Sequence, residues 1–123
     1  MYKYYNPNPV GAKAGDCSVR AIAKALGVDW EEAYAKLCVN GYKMGDMPSS
    51  NNVIASVLRM NGFYRENMPE FCPTCYTVAD FAEHNPVGTY VLGTGNHVVA
   101  VVDGDWYDSW DSADEIPLYF WTK

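Results

Sequence analysis

The chain is organised around residues 15–27, which read GDCSVRAIAKALG. Asp16 has a residue type that commonly caps a helix N-terminus, and Gly27 one that commonly ends a helix. Apolar side chains recur between them at helical spacing, at Val19, Ile22 and Leu26. The stretch therefore predicts a helix with one buried face and with Cys17 in its first turn. Backbone N–H groups and the helix dipole at that end favour the thiolate, which is the reactive form of cysteine.

More helices are predicted downstream of this one. Asp29 begins a second helix, with a glutamate three residues on as in a capping box, and Asn40-Gly41 is expected to end it. A third helix is predicted from about residue 50 to residue 60. A short fourth helix is predicted over residues 78–84, with Thr77 as its cap.

After Gly88 the sequence pattern changes from one typical of helices to one typical of strands. Strands are predicted at residues 63–65, 89–92, 97–102, 105–108 and 118–121. Asp103-Gly104 is a strong signal for a two-residue hairpin turn, and residues 4–9 are expected to form an extended or turning arm. Helices come first and strands second, so we predict one α+β domain over residues 1–123, with N-terminal helices packed on a C-terminal antiparallel sheet.

The composition and charge of the chain argue against several classes of protein. The 123 residues are 49% hydrophobic, which is typical of a folded globule and not of a disordered chain. The net charge of −6 disfavours nucleic-acid binding, which needs a surface rich in Lys and Arg. No apolar run is long enough to span a bilayer, and the N-terminus has no signal-like apolar segment. We therefore expect a cytoplasmic protein with no membrane partner, in which the four cysteines are reduced.

The predicted hairpin also indicates which side chains of its two strands lie close together. If residues 103–104 form a two-residue turn, Val99 lies opposite Asp108, and by the same register His97 lies opposite Trp110. Because the side-chain period of a strand is two, His97 and Asp108 share one face as diagonal neighbours, about 7 Å apart by backbone. A carboxylate at that position can hold an imidazole in one tautomer and one orientation.

These motifs resemble a known family. A Gly-Asp-Cys that opens a helix, a later Gly-Asn-His that begins a strand, and an aspartate on the next strand are similar to the papain-like cysteine peptidase fold. The match is closest to its small bacterial versions, such as the C39-type (bacteriocin-processing) peptidase-like domains. The resemblance implies a papain-like α+β domain in which Cys17 is the nucleophile, His97 the general base and then acid, and Asp108 the orienting group. It also implies thiol acyl transfer that hydrolyses a peptide, isopeptide or amide bond of a peptide or protein substrate, without a cofactor.

The sequence departs from that family at the oxyanion donor. Papain-like enzymes usually carry a glutamine a few residues before the nucleophile, and this sequence contains no glutamine. Asn6 and Asn8 are the candidate amide donors, together with the Cys17 backbone N–H, while Lys13 is nearer in sequence. Loss of one such donor typically costs about 10²–10³ in rate. The alternative function is therefore a catalytically silent papain-like binding module, an inhibitor or adaptor of a protein partner.

The Cys72-Pro-Thr-Cys75 element provides a third hypothesis, a small zinc-binding domain. A structural zinc site needs four ligands, and only Cys38, His84 and His97 remain to complete one. Without a second Cys pair this element is half a site, so no metal is our expectation.

Structural explanations compete with the catalytic roles. Cys17 is also suited to be a small buried hydrophobe, and His97 a satisfied core histidine at the head of an apolar strand. Two other aspartates compete with Asp108. Asp103 is explained by the turn, and Asp111 is expected on the opposite face of a regular strand.

Overall fold

A computed structural model of the chain describes residues 1–68 and 76–123. Within them the secondary-structure elements, in chain order, are β1 (Tyr2–Tyr4), α1 (Cys17–Leu26), α2 (Trp30–Met44), α3 (Asn51–Met60), β2 (Tyr64–Asn67), α4 (Val78–His84), β3 (Thr89–Gly93), β4 (Val98–Val102), β5 (Asp105–Asp108) and β6 (Tyr119–Thr122). The α+β class is confirmed.

The strands form one sheet in the order β1-β5-β4-β3-β6-β2. β1 runs parallel to β5, and the other neighbouring strands pair antiparallel. The sheet is therefore mixed, and the expectation of an antiparallel sheet is wrong at this edge. The Met1 ammonium donates to the Gly104 carbonyl at 2.9 Å and lies 3.2 Å from the Asp105 carboxylate, which anchors β1 at the hairpin turn. Residues 2–4 are too few to carry a strand pattern, so only this pairing distinguishes them from an arm.

Both faces of the sheet are packed. Helices α1 to α3 contribute to one core, whose larger members are Val19, Ile22, Leu37, Val53, Ile54, Val57, Leu58, Phe63, Val91, Val98 and Trp121. Helix α4 contributes to a second core, made of Val78, Phe81, Ala82, Leu92, Val99 and Val101. Val98 and Val99 are successive residues of β4 and belong to different cores, because side chains alternate across a strand. The sheet is thus a central layer, with α1 against one face and α4 against the other.

Helix α2 continues beyond the predicted stop at Asn40-Gly41, so that boundary is wrong. The buried Asn40 amide donates to Ser56 Oγ of α3 at 3.0 Å. A Cβ on Gly41 would lie 2.9 Å from the Asp46 carbonyl oxygen. The Asn-Gly pair therefore serves the packing of α2 against α3 and the following loop, and it does not end the helix.

Most other predicted boundaries agree with the structure. Helix α3 ends at Met60, and Thr77 forms a capping box with Asp80 at the start of α4. Strand β2 runs from Tyr64 to Asn67, so it begins one residue later than predicted. Phe63, the predicted first residue, is buried in the core. In the parts of the chain that the structure describes, no helix combines the length and apolar character needed to cross a membrane.

Candidate active site

Cys17 is the first residue of α1 and is half-buried. Asp16 precedes it at the N-cap position, as predicted, but its side chain makes no capping hydrogen bond. The carboxylate instead accepts from Arg20 Nη1 and from Trp30 Nε1, each at 2.9 Å. A charged guanidinium one turn along the helix is a stronger partner than a backbone N–H. Asp16 therefore binds side chains of α1 and α2 in place of the helix N-terminus.

The hairpin has the predicted register. Val102 pairs with Asp105 across a two-residue turn. Asp103 and Gly104 both have positive φ, 49° and 82°, as a type I′ turn requires. His97 lies just before β4, and its Nε2 is 2.7 Å from Oδ2 of Asp108 at the end of β5. The predicted neighbourhood of these two side chains is confirmed.

Cys17 lies beside that pair. The His97 side chain and the Val98 backbone N–H both act on its thiol and lower its pKa. Because Nε2 of the imidazole faces Asp108, Nδ1 is the ring nitrogen left for the sulfur. The structure thus brings the start of the first helix to the hairpin, a step that spacing alone does not predict.

The electrostatics favour a thiolate beside an imidazolium. Burial raises the pKa of Cys17, but hydrogen bonds from His97 and Val98 outweigh it and leave that pKa below its ordinary value. Burial lowers the pKa of His97, but hydrogen bonds to Asp108 and Cys17 outweigh it and raise that pKa to about 9. Both shifts favour the state in which the proton resides on the imidazole and the sulfur is a nucleophilic thiolate.

Asp108 is fully buried and has a partner on each side. Oδ1 lies 3.0 Å from Arg20 Nη2 and accepts from the Ser109 backbone N–H at 2.9 Å. Oδ2 faces His97 and accepts from Ser112 Oγ at 2.7 Å. Burial raises the pKa of Asp108, but the hydrogen bonds from His97 and Ser112 outweigh it and hold that pKa below its ordinary value. The carboxylate therefore remains charged although no water reaches it.

Sequence reasoning missed Arg20 and Ser112. A signal for Arg20 was present, because an arginine three residues after Cys17 and four after Asp16 lies on the same helix side as both. Ser112 carried no such signal, since it follows β5 in an irregular segment.

The competing aspartates have other partners. Asp103 Oδ1 accepts from the Gly88 backbone N–H at 2.9 Å, and Asp111 Oδ1 accepts from Trp106 Nε1 at 3.0 Å. Trp110 lies beside the imidazole of His97, with ring centroids 5.0 Å apart. It partly covers the His97–Asp108 pair, although 46% of its own surface is exposed.

Cys17 and His97 line two cavities. The larger, of about 580 Å³, is also bordered by Asn6, Lys13 and Trp110. The smaller, of about 220 Å³, is bordered by polar residues of the α3 entry and of the loop before His97, namely Ser49, Ser50, Asn51, Gly95 and Asn96. Cys17 and His97 therefore lie between two cavities.

The two candidate donors to the oxyanion line different cavities. Asn6 lines the larger cavity with Cys17, and its amide donates to the Ala12 carbonyl at 3.4 Å. Asn8 lines a different cavity of about 400 Å³ beside Trp30, and its Oδ1 accepts from the Val10 backbone N–H. Asn6 therefore shares a cavity with Cys17, whereas Asn8 lines another one.

Over residues 1–68 and 76–123 no three His, Cys, Asp or Glu side chains are grouped so as to hold a metal ion. Cys72 and Cys75 lie outside the described residues, so the zinc hypothesis stays a prediction.

The arrangement can perform nucleophilic chemistry, since it combines an activated sulfur, an imidazole that can transfer a proton, and a carboxylate that orients the imidazole. Comparisons with known protein families, with curated proteins and with solved structures found no match. The function is therefore inferred from the site itself.

Proposed function

We propose that the chain is a papain-like cysteine peptidase or amidase that hydrolyses a peptide, isopeptide or amide bond of a peptide or protein. The observation that supports this function most directly is that Cys17 and His97 line the same two cavities while the His97 imidazole is 2.7 Å from the Asp108 carboxylate. The papain-like assignment is supported by the order of these groups, with the nucleophile at the start of a helix and the base and aspartate on a later hairpin.

In this mechanism the Cys17 thiolate attacks the carbonyl carbon of the substrate and forms a tetrahedral oxyanion. The imidazolium of His97 then donates its proton to the leaving amine as the C–N bond breaks, which leaves a thioester. His97, now neutral, takes a proton from water, and the hydroxide attacks the thioester. The acid is released and the thiolate–imidazolium pair is restored. Asp108 keeps the ring oriented and stabilises its charged form.

The oxyanion needs donors in place of the missing glutamine. N–H groups in the first turn of a helix have no partner within the helix, so the Cys17 N–H is available. Asn6 lines the same cavity, and its amide carries two N–H groups, one of which is used by Ala12. We propose these two donors for the oxyanion, with the Lys13 ammonium at the cavity wall as a further positive charge.

Thiol alkylation tests this function without knowledge of the substrate. The full-length protein is treated with iodoacetamide across pH 4–10, and each cysteine is followed by peptide mass spectrometry. We expect Cys17 to react fastest, with an apparent pKa below the free value of about 8.5, while Cys38 serves as the internal reference. Uniform and slow alkylation of all four cysteines would reject the enzyme in favour of the silent binding module.

Hydrolysis is then assayed with a mixture of fluorogenic peptides. The variants Cys17→Ala and Cys38→Ala form a matched pair, since both residues are partly buried free cysteines on helices. Turnover is expected to fall to background in the first and to stay at the wild-type rate in the second.

A further inference from the structure

Arg20 joins two carboxylates that belong to different parts of the fold. Its Nη1 lies 2.9 Å from Asp16 Oδ1, before α1, and its Nη2 lies 3.0 Å from Asp108 Oδ1, at the end of β5. All three residues are buried, and Arg20 is only 4% exposed. A guanidinium can bind two carboxylates at once because its N–H donors project in a fixed, planar fork.

This bridge acts on the face of Asp108 that His97 does not use. Oδ1 is held by Arg20 and by the Ser109 N–H, whereas Oδ2 is left to His97 and Ser112. The rotation of the carboxylate about its own axis is therefore determined from α1, the helix that also carries Cys17. The sulfur and the orienting carboxylate are thus tied to one element.

We infer that Arg20 is a positioning residue of the proposed active site, which clamps Asp108 to the nucleophile helix so that the His97 imidazole is aligned with the Cys17 sulfur. This inference rests on the proposed function. It assigns to Arg20 an effect on the chemistry of Cys17 that exceeds the stability of a buried ion pair.

The clamp reaches a third element through Asp16. The second oxygen of that carboxylate accepts from Trp30 Nε1 of α2 at 2.9 Å. Arg20 is therefore itself held from two sides, by α2 through Asp16 and by β5 through Asp108. A substitution that weakens the Asp16–Arg20 ion pair is expected to make the Arg20 side chain less well positioned, while Asp108 keeps its ion pair with Arg20.

The alternative role is structural only, and a lysine substitution separates the two. Arg20→Lys keeps the positive charge but lacks the fork, so it binds one carboxylate well and not both. If only charge matters, the Lys variant behaves as wild type. If alignment matters, the Lys variant folds but its Cys17 becomes less reactive.

The experiment compares Arg20→Lys and Arg20→Met with Arg59→Met, a matched control on the exposed side of α3 whose guanidinium lies over Trp121. Near-UV circular dichroism and thermal unfolding establish folding. Cys17 alkylation by iodoacetamide is then measured from pH 4 to pH 10, and peptide turnover gives kcat and KM. For a displacement of about 1 Å we expect up to 100-fold loss in kcat for Arg20→Lys, with KM unchanged.

The expected alkylation result is a midpoint for Cys17 shifted to higher pH in Arg20→Lys, a larger shift in Arg20→Met and none in Arg59→Met. Asp16→Asn, which keeps Asp108 paired, should lower kcat by a smaller factor than Arg20→Lys. This variant keeps the inference testable if removal of the buried arginine prevents folding.

A wild-type profile in folded Arg20→Lys would overturn the inference, whether or not Arg20→Met is altered. A wild-type kcat in Asp16→Asn would overturn the clamp through Asp16. Failure of the proposed function has a different signature, because wild-type Cys17 would then itself show an ordinary thiol pKa in the same assay.

Discussion

His97 Nε2 and Asp108 Oδ2 are 2.7 Å apart across the β4–β5 hairpin, eleven positions from one another in sequence. Because a two-residue turn fixes the register of such a hairpin, this separation is set by local geometry and not by a flexible loop. The imidazole is thereby confined to one orientation before any substrate binds. The rest of the fold must bring the Cys17 sulfur to this pair.

Asp108→Asn tests the orienting carboxylate. An amide at this position can present its N–H to His97, which favours the wrong tautomer and is expected to lower turnover roughly 10⁴-fold. It also removes a charge that pairs with Arg20, for a cost of about 3 kcal/mol in unfolding free energy. Asp111→Asn is the control, because Asp111 contacts Trp106 instead. Peptide turnover and urea unfolding measure both effects, and equal turnover in the two variants would contradict the role of Asp108.

The dependence of kcat/KM on pH tests the ion pair. The active form requires the Cys17 thiolate together with the His97 imidazolium. The rate should therefore rise through the lowered pKa of Cys17 and fall through the raised pKa of His97, at about 9. An NMR titration of the His97 ring protons gives the second value directly. A midpoint near 6.5 would show that the imidazole is not held by Asp108.

Stability should respond to pH in a way that the Cys17→Ser variant isolates. In wild type, folding moves a proton from the thiol to the imidazole, so the two shifts oppose each other near neutral pH. Without the thiol, Asp108 still raises the pKa of His97, by less than in wild type, and this shift acts alone. Its stabilisation is complete below the unfolded value of about 6.5 and is lost as pH rises through the folded value. Thermal unfolding from pH 6 to pH 10 should show this decline in the variant and a flatter curve in wild type.

Gly41→Ala tests the packing of α2. Alanine normally favours a helix over glycine by up to about 1 kcal/mol. Here the added Cβ would lie 2.9 Å from the Asp46 carbonyl oxygen, so we expect a net destabilisation of about 1–3 kcal/mol. Gly15→Ala is the control, because a Cβ there meets no atom within 4 Å. Chemical denaturation of both variants measures the difference, and a stabilised Gly41→Ala would contradict the close approach.

Gly104→Ala tests the hairpin turn. Its φ of 82° is strained for alanine, so unfolding free energy should fall by about 1–2 kcal/mol. Asp103→Asn should be nearly neutral, because asparagine suits a type I′ turn and keeps the oxygen that accepts from Gly88. Unchanged stability in Gly104→Ala would contradict the turn type.

The sequence alone determined the features that depend on neighbouring residues. Helix α1 follows from its apolar repeat and from Gly27, and the hairpin follows from Asp103-Gly104. The meeting of His97 and Asp108 could also be predicted, since the turn defines which residues of the two strands lie across from one another.

Only the tertiary structure decided the rest. The contact between Cys17 and His97, the clamp of Arg20 on Asp108 and the parallel pairing of β1 all join segments far apart in the chain. A periodic pattern shows that a helix has a buried face, but it does not show which surface covers that face. That choice depends on how the whole core packs. The same packing brings the Cys17 sulfur to the His97 imidazole.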